Sequence, residues 1–167
     1  MFDIQSFSQS TVTGKMDTEL TPYPEGSYIF QIEQDEKAVT FASGTSTDKD
    51  GKTRPWVRLN VRCRVVGMRD GNLEEVAKAR GKKPDELLFT HGFLLDLNEV
   101  NQLDVGPGRN IQLGQLREAV NQNNAEDAWH YFMLRGQAFE GKMVIKVDKD
   151  DSTKKYNNLV GLAKFQQ

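Results

Sequence analysis

The sequence predicts a mainly β protein with α insertions: a five-stranded Greek-key barrel with a helical segment between its third and fourth strands. Two observations carry that expectation. Residues 54–66, "RPWVRLNVRCRVV", alternate apolar and polar positions almost without a break, which is the period of a half-buried strand. Around them the strand-like and helix-like stretches follow in the order three strands, a helical segment and two strands, separated by Gly, Pro, Asn and Asp clusters.

Taken in order, residues 1–24 are polar and end in "TPYPEG", so they read as a flexible N-terminal arm, with Phe2, Ile4 and Phe7 as its docking side chains. Residues 25–167 form a single domain, since the length suits one core. "SYIFQIEQ" sets Tyr28, Phe30 and Ile32 on one side, and strand one is expected to run on towards Phe41. "ASGTSTDKDGKTRP" (42–54) has turn residues throughout and reads as a long loop. Strand two follows, with Val57, Leu59, Val61, Cys63 and Val65 inward. Residues 67–86 contain "LEEVAKARGKKPDEL", a short helical insertion closed by Gly81 and Pro84.

"LLFTHGFLLDLN" is strand three. Its odd-numbered set, Leu87 to Leu95, would bury His91, so Gly92 is a candidate bulge that switches the facing. "IQLGQLREAVNQNN" places Leu113, Leu116 and Val120 along one helical face, and "AEDAWHYFMLRG" continues as a second helical piece. "GKMVIKVDKDDSTKKYNNLVGLAKF" closes the fold as a hairpin. This order is the connectivity of an OB-fold, in which ligands lie across strands two and three between the loops that join strands one to two and four to five.

The charge distribution sharpens the functional reading. Residues 49–83 hold eleven basic and four acidic residues, a net +7, whereas the whole chain carries −2 and the remainder therefore −9. A basic surface on an acidic body attracts a polyanion. The outward side of strand two offers Trp56, Arg58, Asn60, Arg62 and Arg64. The flanking loops carry Lys49, Lys52 and Arg54 on one side and Lys149, Lys154 and Lys155 on the other, with Tyr156 at the foot of the last hairpin. Arginine forks grip phosphate, and flat rings stack on unpaired bases. Two alternatives stay open at this point: a solvated face on which strand-one carboxylates such as Glu33 neutralise the arginines, and a Trp56 that caps the barrel end.

Other chemistry finds little footing. Two histidines and the lone Cys63 give no metal-ligand spacing, and "DKDG" and "DKDD" lack the closing glutamate of a calcium loop. "GPG" at Gly106 lacks the lysine of a phosphate-binding loop, and Glu74 with Glu75 point apart on a helix. Neither an enzyme nor a cofactor is expected. With one cysteine, and a start "MFDIQSFSQS" that has no basic or long apolar run, the expectation is an intracellular protein without a membrane partner.

"TPYPEGSYIFQIEQ", the basic alternating strand, "LGQLREAV", "GKMVIKV" and "NNLVGL", in that order, resemble the phage-encoded single-stranded DNA-binding proteins with an OB-fold, over roughly residues 21–165. The resemblance implies a largely sequence-independent binder of single-stranded DNA in phage replication or recombination, located in the host cytoplasm. It implies replication or recombination proteins as further partners and leaves homo-oligomer formation open. Trp56, Arg58, Arg62, Arg64 and the loop lysines would line the groove. The chain departs from many proteins of this role in ending "GLAKFQQ", without an acidic run, so recruitment through the C-terminus is not expected. The rival expectation is a non-enzymatic virion accessory or adaptor protein that assembles through its barrel and arm.

Overall fold

In the computed structural model, residues 3–11, 13, 14, 16 and 20–166 are described. Six antiparallel strands make one sheet: β1 (Gly26–Ile32), β2 (Val39–Thr47), β3 (Thr53–Met68), β4 (Leu88–Leu95), β5 (Ala138–Val147) and β6 (Lys155–Lys164). Their order is β2-β3-β1-β5-β6, with β4 on the other edge of β3. Helices α1 (Ile4–Ser8), α2 (Leu73–Ala79) and α3 (Ile111–Ala119) complete the framework.

The expected first strand is two strands. Asp35 breaks it: its carboxylate accepts the Lys37 N–H (2.9 Å) and its carbonyl accepts the Ala38 N–H (3.1 Å), an aspartate turn that competes with the ladder. β1 and β2 then lie end to end along one edge of β3, β2 against residues 53–61 and β1 against residues 63–68. The long loop expected at 42–54 is also corrected. Its threonines and small residues extend β2 and the start of β3 into a paired ribbon, and only residues 48–52 turn. There Asp48 Oδ1 accepts the Asp50 and Lys52 N–H groups at 3.0 and 2.8 Å, and Gly51 takes φ 75°.

β4 alternates without a bulge. Leu87, just ahead of it, and His91, Phe93 and Leu95 are buried, while Gly92 keeps its outward position. The glycine serves packing instead: a Cβ there would meet Arg58 Cδ at 2.9 Å. The second helical piece expected at 125–136 is a single 3₁₀ turn, Tyr131–Leu134. α2 does form in the 67–86 insertion, its first turn closed by the Asn72 carboxamide accepting the Glu74 N–H (2.9 Å), and it buries Val76 and Ala77. Leu113, Leu116 and Val120 are buried as their spacing requires.

The core centres on Tyr23, Tyr28, Phe30, Ile32 and Phe139, with Phe30 and Phe139 stacked at 5.2 Å. Tyr23 therefore belongs to the core, although the sequence put it in the arm. Phe2 lies outside the described residues, and Ile4 and Phe7 are exposed on α1. The sheet does not close: among the described residues no ladder joins β4 to β6. Tyr23 stands in that seam. Its N–H donates to Asn157 Oδ1 and its carbonyl accepts from Asn157 Nδ2, both at 2.8 Å, while its hydroxyl donates to the Leu88 carbonyl at 2.9 Å.

His91 sits among Phe89 and Phe93, with ring centroids at 6.2 and 4.6 Å. Burial lowers its pKa from 6.5 to about 4. Between those values the unfolded chain binds the proton and the folded chain does not, so stability is full above 6.5 and falls as pH drops to about 4. The loss should total about 3 kcal/mol. Urea midpoints measured against pH should show this slope in the wild type and lose it in His91→Phe; equal slopes would contradict the assignment.

Candidate nucleic-acid interface

The outward row of β3 begins with Arg54 and Trp56 opposite Ser46 and Gly44 of β2, and continues with Arg58 between Ala42 of β2 and Leu94 of β4. The absence of side chains at two glycines shapes this face. The half-buried Trp56 ring lies across Gly44, where a Cβ would approach it to 2.8 Å, and the Arg58 stem lies over Gly92. One flat ring and the guanidinium of an exposed arginine thus share an open surface. Among the described residues Arg58 has no ion-pair partner. Leu94, 70% exposed, extends the apolar part of the face.

Farther along β3 the arginines are engaged. Arg62 is ion-paired with Asp35 and lies 4.0 Å from Glu33, and Arg64 Nε donates to Glu33 Oε1 at 3.0 Å while its Nη1 donates to the Asp85 carbonyl at 2.8 Å. The Glu33 contact holds the Arg64 guanidinium above its ordinary range. The neutralised alternative therefore describes Arg62 and Arg64, because the 33–38 turn brings Glu33 and Asp35 beside them. It does not describe Arg54, Trp56 or Arg58.

The two basic loops do not flank a single groove. Lys49 and Lys52 sit exposed at the tip of the β2–β3 ribbon. Lys154, Lys155 and Tyr156 line a groove of about 730 Å³ along the β4–β6 seam, together with Leu88, Thr90, Tyr23, Arg80 and Asp148. Thr90 pairs with Arg62, ten positions from Lys52, so the two ends stand roughly 33 Å apart along β3 at 3.3 Å per residue. Leu88, Thr90, Gly92 and Leu94, the outward residues of β4, connect them.

Lys154 lies 3.6 Å from Asp151, whereas Tyr156 is 51% exposed. Lys149 is an exposed loop residue and does not line the groove.

Sequence reasoning missed Arg80 and the outward residues of β4. Arg80 follows α2, stacks its guanidinium on Tyr23 at 3.8 Å and donates to the Thr21 carbonyl, so the 67–86 insertion contributes one arginine to the lining of the groove. The even-numbered positions of β4 were legible as a solvent row, and the signal for them was the same alternation that marked β3.

Among the described residues no group of three or more His, Cys, Asp or Glu gathers to hold a metal ion, and no helix is long and apolar enough to cross a membrane. Cys63 is buried, and burial pushes its thiol up, away from the thiolate a nucleophile needs. No family model matches the chain, and no curated protein matches it significantly.

Proposed function

We propose that this protein binds single-stranded nucleic acid, DNA in the first instance, with little sequence preference and without chemistry, in the manner of phage single-stranded DNA-binding proteins acting in replication or recombination. The observation that carries the reading is the Trp56 ring lying over Gly44 beside Arg58, which has no ion-pair partner among the described residues, on an outward sheet face. A ring for base stacking next to a cation for phosphate is the minimum a sequence-tolerant binder requires. The strand would run from the Lys49, Lys52 and Arg54 ribbon, across Trp56 and Arg58, along the outward row of β4 and into the groove of Lys154, Lys155, Tyr156 and Arg80. Lys149 adds charge near that end, and Arg62 and Arg64 mainly brace the face through their carboxylates.

The fold supports this reading as an OB-fold opened at one seam. β1 and β2 together stand for the first barrel strand, β3 and β4 for the second and third, and β5 and β6 for the last two, with α3 between the third and fourth. Tyr23 occupies the position where the third and fifth strands would pair. The alternative, a virion accessory or adaptor protein, is favoured by the exposure of Ile4 and Phe7 on α1.

Fluorescence anisotropy with labelled oligo-dT at two salt concentrations separates them. Binding should weaken with salt at a slope near −0.7 per phosphate neutralised, and tryptophan emission should quench. Duplex should compete poorly, since paired bases cannot stack on a ring, and competition with poly-rU reports on DNA against RNA. Flat anisotropy at low salt would overturn the proposal, and a stable closed oligomer indifferent to oligonucleotide would favour the alternative.

A further inference from the structure

Among the described residues three strands have an edge that no other strand covers: β2, β4 and β6. Exposed edges invite pairing with another chain, and soluble proteins ordinarily blunt them with charges, prolines, bulges or a covering segment. Two of the three are blunted. β4 and β6 face each other across the seam that Tyr23 fills, and β6 begins and ends with lysine and carries Gly161 at φ 60°. The part of β3 that β4 does not reach holds Arg54 and Pro55.

β2 lacks the charge, the proline and the bulge, and Tyr131 of the 3₁₀ turn packs on its Phe41 at 4.9 Å. Its nine residues, "VTFASGTST", contain no charge and no proline, and they pair one to one with β3 without a register break. The register also fixes which backbone groups remain. The Arg62 N–H donates to the Ala38 carbonyl (2.8 Å) and the Asp48 N–H to the Lys52 carbonyl (3.0 Å), so the even-numbered residues between them spend their backbone groups on β3. The N–H and C=O groups of Phe41, Ser43 and Thr45 therefore face the free edge, and among the described residues they have no backbone partner outside the strand.

We propose that β2 pairs antiparallel with β2 of a second copy of this chain, about a two-fold axis, to give a homodimer with one continuous sheet. Isologous pairing sets a strand against itself, so any charge on it meets a like charge nearby; β2 carries none and is compatible with its own copy. An uncharged strand offers no complementary side chain to a charged foreign peptide. Phe41, packed edge-to-face on Tyr131 at 4.9 Å and 44% exposed, supplies apolar contact beside the new ladder.

An axis perpendicular to the sheet turns both outward faces to the same side. Because Trp56 lies over Gly44 of β2, the two rings would flank the junction and join two polyanion tracks into one. That use rests on the function proposed above, whereas the pairing does not.

Sedimentation of the full chain at tens of micromolar, without nucleic acid, should give twice the 18.9 kDa chain mass. Ser43→Pro removes an edge-facing N–H and no β3 bond, and Thr45→Lys puts a charge on an edge strand that has none; each should weaken association by roughly tenfold or more with far-UV circular dichroism unchanged. In the wild type, amide exchange at Phe41, Ser43 and Thr45 should slow as protein concentration rises. A wild type that keeps single-chain mass, a dimer that both variants leave intact, or edge amides whose exchange ignores concentration would each overturn the pairing. Oligonucleotide is absent from these measurements, so their failure is distinct from a failure of the binding assay.

Discussion

Replacing Tyr23 with alanine should lower stability by about 3–5 kcal/mol, the range for truncating a large buried aromatic. The side chain is buried and fills the seam that no strand ladder closes among the described residues. Its ring meets Tyr28 at 6.0 Å and Phe89 at 6.3 Å edge-to-face, with Arg80 against it at 3.8 Å. Tyr23→Phe separates the parts. It keeps the ring and removes only the hydroxyl that donates to the Leu88 carbonyl, so the expected loss is about 1–2 kcal/mol. For a chain of this size the alanine variant should melt on the order of ten degrees lower. Thermal scans of the three proteins test this; an alanine variant as stable as the wild type would mean that the seam is not held by Tyr23.

Trp56→Ala should weaken oligonucleotide binding about five- to 150-fold, equivalent to one lost stack of about 1–3 kcal/mol. Arg58→Ala should remove one phosphate contact and flatten the salt slope by about 0.7. Arg62→Ala should leave that slope nearly unchanged, because its guanidinium is already engaged by Asp35 and Glu33. The ion pairing thus moves to Arg58 an expectation that the sequence assigns to all the arginines of the strand. Titrations of the three variants at matched salt concentrations check the ranking. If Arg62→Ala flattens the slope as much as Arg58→Ala, bound phosphate displaces the carboxylates, and the face is more basic than its resting ion pairs imply.

The two tests address different layers of the molecule. Tyr23 links residues far apart in sequence, to Leu88 on one side and Asn157 on the other, so its loss should appear in unfolding whether or not a ligand is present. Trp56 is half-buried at an outward position, and its loss should appear mainly in binding. A Trp56→Ala protein that loses both binding and several degrees of melting temperature would instead point to a ring that packs the ribbon.

What the sequence determined by itself was the side-chain alternation of its longest strand and the apolar spacing of one helix. The alternation at 54–66 set the inward row of β3, from Leu59 to Val65, and its outward row of Trp56 and arginines, because strand period is a local property. The spacing of Leu113, Leu116 and Val120 likewise marked the buried face of α3. Only the tertiary structure decided which of those outward side chains are free. Glu33 is a neutralising candidate in the sequence, but only the folded 33–38 turn decides that it and Asp35 engage Arg64 and Arg62, some thirty positions along the chain, and not Arg58. The open seam, its Tyr23 and the place of Arg80 in the groove lining are likewise long-range outcomes, fixed by how strongly the sheet curls and not by the preference of any one segment.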